Sequence, residues 1–190
     1  MRAKTKFEHG TSQRGFSMLE VLISMVVLTI GLVGLLSVFA VSLSTTQSAK
    51  QDQIAKQLAS EAMESVFTAR DTANVVFDQI QNVGTGTGIF AQGYQQIYNA
   101  GNDGIIGTGD DATAGMQTMK MPGPDGIMGT ADDISISLAN YRRQIAIAPV
   151  LDATNTAVSN LRQVTVTVQY TIPSGVRKNF VLTGFISQYR

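Results

Sequence analysis

Two Asp- and Gly-rich segments carry the side chains best suited to chemistry. Gly101-Asn-Asp-Gly-Ile-Ile-Gly-Thr-Gly-Asp-Asp111 matches Gly123-Pro-Asp-Gly-Ile-Met-Gly-Thr-Ala-Asp-Asp133 at a constant offset of 22. Asp103, Thr108, Asp110 and Asp111 recur as Asp125, Thr130, Asp132 and Asp133. Each segment therefore offers three carboxylates, a hydroxyl and flexible backbone carbonyls. Calcium takes roughly six to eight such oxygens at about 2.3–2.6 Å. The glycines allow the backbone to curl so that carbonyls turn inward. Carboxylates held this close also repel one another, and a cation removes that penalty. These eight residues are the candidate ligands for one or two calcium ions. Magnesium, which demands stricter octahedral geometry, is the second choice. With no Cys and a single His, His9, the chain does not favour zinc or copper.

The alternative is a duplicated pair of turns, each opened by Asp-Gly and holding no ion. The spacing does not fit the EF-hand loop, which needs Asp-x-Asp/Asn-x-Asp/Asn-Gly and a distant Glu. It resembles instead the Asp-Gly-x-x-Gly-Thr-x-Asp-Asp loops of extracellular calcium-binding repeats. The chemistry expected of these carboxylates is ion binding, not acid/base catalysis. No Ser/His/Asp or Cys/His set exists past the first 15 residues. Gly84-Thr-Gly-Thr-Gly88 lacks the Gly-Lys-Ser/Thr ending of a phosphate-binding loop. The chain is expected not to be an enzyme, and catalytic residues are none.

Elements that could hold these loops flank them. From Lys50 the pattern is amphipathic: Ile54, Leu58, Ala62 and Val66 share one helical stripe, with Met63 and Phe67 on an adjoining row. Arg70 to Asn74 reads as a break, and Val76, Ile80 and Val83 suggest a short second helix. The Gly-, Asp- and Asn-rich stretch from Ile89 to Asp133 has little periodicity. After it, Ile134 to Ala139, Tyr141 to Val150, Val164 to Ile172 and Val176 to Tyr189 read as strands. Pro173-Ser174-Gly175 is the turn of a terminal hairpin. One apolar face of this antiparallel sheet is expected to cover the helical stripe.

Everything is preceded by an apolar run. After Glu20 no charge appears until Lys50, and an uncharged run of more than about 18 residues is a candidate membrane span. Arg2, Lys4, Lys6 and Arg14 precede it, which predicts a cytoplasmic N-terminus. Up to Gly15 there are four Lys/Arg and one Glu, a net of +3; the remainder has ten basic and thirteen acidic residues, a net of −3. That balance is no footprint for nucleic-acid binding. Two calcium ions would bring the remainder to +1. Gly31 and Gly34 cost helix propensity, about 1 kcal/mol each in water, but let helices approach closely in a bundle. Glu20 sits at the edge of the run, where a buried carboxylate costs roughly 3 kcal/mol. It either lies at headgroup level, solvated, or serves helix docking beside a cationic neighbour.

Gly15-Phe16-Ser17-Met18-Leu19-Glu20 followed by Val-Leu-Ile-Ser-Met resembles the class III signal of type IV prepilins and pseudopilins. The segment Ile30 to Leu36 is similar to PilV-type minor pilins. The resemblance covers about the first third of the chain, with a looser likeness at the C-terminal end and none in the middle. It implies cleavage by prepilin peptidase between Gly15 and Phe16, methylation of the new Phe16 amine, and a role for Glu20 in register and assembly. It also implies other pilin subunits and the inner-membrane assembly machinery as partners. The implied location is the bacterial inner membrane before assembly and a periplasmic or extracellular filament after it. Many members carry a C-terminal disulfide loop, and this chain, lacking Cys, departs from that pattern.

The expected fold class is α+β and pilin-like: a long N-terminal helix, membrane-spanning in its first half, packed against a C-terminal antiparallel sheet. The expected division is a leader at 1–15, an assembly helix at 16–44, an amphipathic helix with a short second helix at 45–83, the Gly/Asp-rich loops at 84–133 and the sheet at 134–190. The leading function is a structural subunit, a minor pilin or pilin-like protein, with a calcium-stabilised head. A type II secretion pseudopilin and a non-polymerising, membrane-tethered calcium-binding module remain as alternatives.

Overall fold

The computed structural model describes residues 15–189. Of the expected leader at 1–15, residues 1–14 lie outside them. Contacts divide the chain into two compact units, Met1–Leu43 and Ser44–Arg190. A single helix, α1 (Met18–Asp71), contributes to both.

In the first unit α1 is apolar on every side and its side chains are exposed from Met18 to Leu43. A helix hydrophobic all round belongs in a membrane or a bundle, and this one is long and apolar enough to cross a bilayer. Its few hydroxyls are satisfied internally: Ser24, Thr29 and Ser37 donate to the carbonyls of Glu20, Met25 and Val33.

In the second unit the rest of α1 lies on a four-stranded antiparallel sheet. Its strands are β1 (Gln95–Gln96), β4 (Tyr141–Leu151), β5 (Ala157–Thr171) and β6 (Arg177–Ser187), in the order β1-β4-β5-β6. The expected stripe is the buried one: Ile54, Leu58, Ala62 and Val66 face the core, joined by Ala55, Ala59 and Ala69. Strict alternation in β5 turns Val164, Val166, Val168 and Tyr170 toward that stripe. Opposite them, β6 presents Gly184 beneath Met63 and Phe67. An added Cβ there would lie 3.2 Å from the Met63 sulfur. Helix and sheet thus approach closely through alanines and one glycine. The α+β, pilin-like architecture expected from the sequence is borne out.

Three details differ from expectation. The short second helix is a single 3₁₀ turn, Phe77–Gln79, with Val76 and Val83 exposed and Ile80 fully buried. Three apolar residues spread over eight positions did not supply enough buried face for a longer helix. The Gly/Asp-rich stretch is anchored in the core by Phe90 and Ile97, both fully buried, and contributes β1 and β2 (Thr118–Met121). Finally, β3 (Ile134–Ser137) does not join the main sheet. It pairs with β2 as a separate ribbon, Met121 opposite Ile134 and Thr118 opposite Ser137. The second acidic segment is the loop that closes this ribbon and so fixes its partner.

Candidate functional site: a helical N-terminus and duplicated acidic loops

At the start of α1 the Ser17 carbonyl accepts from the Glu20 and Val21 amides at 3.0 and 3.2 Å, opening the helix. Glu20 stands in the first turn, where a carboxylate complements the helix dipole. It is exposed, and no ion pair engages it among the described residues. Phe16, just ahead of the helix, is 83% exposed. An added Cβ would meet nothing at Gly15, Gly31 or Gly34. Among the described residues, therefore, no close contact demands glycine at these positions.

The two acidic loops repeat in structure as well as in sequence. Gly104 and Gly126 both have φ +71°. The Asp103 carboxylate accepts from the Ile105 amide at 2.8 Å, and Asp125 accepts from Ile127 at 2.8 Å. Thr108 donates to Asp110 at 2.7 Å, and Thr130 to Asp132 at 2.6 Å. These hydroxyl bonds are the main reason the Asp110 and Asp132 carboxyls are held below the usual carboxylate range. An added Cβ on Gly101 would strike the Asp110 carboxylate, and one on Gly123 would strike Asp132. Glycine at these two positions lets each carboxylate fold back onto its loop.

The loops differ in their surroundings. In the first, Ile105 and Ile106 are 4% and 7% exposed. They seat the loop in the core, where the Ile106 amide donates to the Ser65 hydroxyl of α1 at 2.9 Å. Asp111 is buried and accepts from the Gly101 and Gly107 amides at 2.9 and 2.6 Å. Burial pushes its carboxyl up, against those two amides and the nearby Arg143. Arg143 is itself buried, 4% exposed, and lies 3.4 Å from the Leu58 carbonyl and 4.0 Å from Glu61. Desolvation lowers its pKa, while Glu61 and Asp111 oppose the shift.

In the second loop the matching apolar pair, Ile127 and Met128, is 60% and 55% exposed. Asp133 accepts from Gly129 at 2.8 Å, but its other oxygen is shielded and has no hydrogen-bond partner. The loops therefore do not offer an ion the same site. Asp103, Asp110 and Asp111 bring ligand oxygens within 4.8 Å of one another, the one such trio among the described residues. That spacing fits carboxylates sharing a calcium ion at about 2.3–2.6 Å. Asp125, Asp132 and Asp133 are not so gathered. Arg143 escaped the sequence reading. Its signal was parity: of the adjacent Arg142 and Arg143, only Arg143 falls on the alternation of β4 that Tyr141 and Ile145 turn inward.

Among families of known proteins, the one described as the prokaryotic N-terminal methylation motif matches residues 10–36. No curated protein and no solved structure shows significant similarity to the chain. The motif, the apolar first half of α1 and the helix-on-sheet head support a type IV pilin-like precursor. Families with this motif contribute structural subunits rather than enzymes, and the motif is consistent with anchoring in the inner membrane.

Proposed function

We propose that the chain is a structural subunit of a type IV pilus-type filament, in the role of a minor pilin. Prepilin peptidase cleaves after Gly15, and the Phe16 amine is then methylated. Before assembly α1 sits in the inner membrane; during assembly its apolar side chains exchange lipid for neighbouring helices. Glu20 pairs with the Phe16 amine of an adjacent subunit, which neutralises a carboxylate that would otherwise be costly in an apolar bundle. The observation that carries this reading is the methylation motif at 10–36, with Glu20 the last charge before an exposed apolar helix. The open space around Gly31 and Gly34 supports it, because small residues admit a second helix. Calcium at Asp103, Asp110 and Asp111, with Thr108 beside them, would staple a head that has no disulfide. The ion would supply charge neutralisation and cross-linking of the loop, with no catalytic step.

The test is the mass and N-terminal sequence of the protein from cells, together with its recovery in sheared filaments. The expected product begins with N-methylated Phe16, and Glu20→Ala lowers incorporation while leaving cleavage intact. An uncut chain, or normal incorporation of Glu20→Ala, would count against the reading. Low abundance in filaments separates a minor from a major subunit. Dependence on a type II secretion system would favour a pseudopilin.

A further inference from the structure

The two acidic loops share a backbone turn and differ in what covers their apolar pair. In the first loop the apolar pair Ile105-Ile106 is buried against α1. The second loop has the same backbone turn and matching internal hydrogen bonds, yet Ile127 and Met128 project into solvent. It lies at the closed end of the β2–β3 ribbon, and a two-stranded ribbon alone is marginally stable. Asp125 and Asp132 flank the pair and are exposed.

A matching surface lies on the side of the main sheet turned away from α1. Arg142 and Arg177 line one polar pocket there, together with Gln169 and Thr171. Both arginines are exposed, and neither has an acidic partner among the described residues. Further along β6 on this side come Val181 and Phe185, 54% and 57% exposed. Thr165, Thr167 and Thr183 stand between and beside them across the register of β5 and β6. The donor loop is an apolar pair flanked by carboxylates; the receiving face is an apolar pair with guanidiniums at one end. Arginine beside apolar surface is a common composition for the centre of a protein interface.

We propose that the Ile127-Met128 loop of one copy docks on the Arg142/Arg177–Val181 face of a second copy. The inference rests on the reading of the chain as a subunit that meets copies of itself. Opposite charge then sets the orientation, and the exposed apolar pairs cover one another.

The absence of cysteine makes a clean test possible. Full-length Met128→Cys and Val181→Cys variants, differently tagged, are co-expressed and treated in intact cells with a bifunctional maleimide. A mixed dimer is expected. It should be absent when Ala153→Cys replaces Val181→Cys, and several-fold weaker when the Val181→Cys copy also carries Arg142→Glu and Arg177→Glu. No mixed dimer, with both thiols reactive and both chains in the membrane, would overturn the proposal. So would equal dimer with the Ala153→Cys control, or no effect of the arginine changes. A Val181→Cys thiol shielded in cells but joined to no second copy would place a different partner on the face, and would also overturn it. Filament yield and the mature N-terminus are read from the same cells. A dimer without filaments keeps this contact and sinks the polymer reading; filaments without the dimer do the reverse.

Discussion

The Tyr170 hydroxyl donates to the Asp52 carboxylate at 2.7 Å, joining the inward face of β5 to α1. Lys178 of β6 lies 3.7 Å from the same carboxylate, and Tyr141 stacks on Tyr170 with ring centroids 5.8 Å apart. Tyr170→Phe removes the hydrogen bond but keeps the ring. Because the acceptor is charged, the loss should be about 1.5–3 kcal/mol, read by urea unfolding of the full chain in detergent.

The same pair gives a pH dependence. Burial, aided by the Asp52 charge, pushes Tyr141 up to about 12 and raises Tyr170 as well. A folded pKa above the unfolded value of about 10 means that the contribution is fully present below pH 10. It is lost as the pH rises through the folded value. Unfolding should therefore begin above about pH 10, and ultraviolet titration should show tyrosinate appearing together with loss of helix. Tyrosinate formation at Tyr141 or Tyr170 at about pH 10, read as the difference from the matching Tyr141→Phe and Tyr170→Phe variants, with the fold intact would refute the coupling.

The duplicated glycines give an internal control. Gly107 and Gly129 have φ +93° and +90°. A Cβ on Gly107 would strike Ile145 Cδ1, whereas Gly129 has nothing within 4 Å. Alanine at either position bears the left-handed strain of about 1–2 kcal/mol. Only Gly107→Ala adds overpacking, about 1–3 kcal/mol more. Equal losses from the two variants in thermal unfolding would mean that the first loop is not seated against Ile145.

The contrast between these loops marks what the sequence could and could not express. The alternation from Val164 to Ile172 and the stripe from Ile54 to Val66 were legible because burial on one face writes a period into the residue types. Ala55, Ala59 and Ala69 were not, since alanine carries too little apolar area to announce burial. Ile105 and Ile127 are the same residue in the same local motif, yet one is 4% and the other 60% exposed. The difference arises from what covers each pair: the first is buried where the Ile106 amide meets Ser65 of α1, while the second stays largely exposed. Local sequence holds no record of such long-range contacts. The Phe16–Glu20 segment was legible for the opposite reason, because its residues follow one another along one helix start.

Arg143 should be among the residues least tolerant of change in the head. It is buried, reaches the Leu58 carbonyl, and lies near both Glu61 and Asp111. Removing one partner of a buried charge set leaves the others uncompensated, at a cost of about 3–5 kcal/mol. Arg143→Ala should unfold far more readily than Arg142→Ala, its exposed neighbour on the other face of β4. A loss below about 1 kcal/mol would show that Asp111 is held by the Gly101 and Gly107 amides alone.

Calcium should raise the melting temperature through the first loop and not the second. An ion bound only to the folded chain stabilises it by RT ln(1 + [Ca]/Kd), which for a weak site with Kd of about 10⁻⁴–10⁻³ M at about 1 mM extracellular calcium is about 0.4–1.4 kcal/mol. Asp103→Asn with Asp110→Asn should abolish the shift, while Asp125→Asn with Asp132→Asn should leave it in place. Affinity should also fall on acidification. Because burial raises the Asp111 carboxyl, proton competition sets in at a higher pH than the ordinary carboxylate value of about 3.9 would give. Calorimetric titration at several pH values, with melts in calcium and in chelator, measures both effects. An unchanged melting temperature at millimolar calcium would reduce the first loop to what its hydrogen bonds already make it, a turn closed by Thr108 and two amides. The docking role proposed for the second loop would survive that result, because it rests on Ile127, Met128 and the flanking carboxylates rather than on an ion.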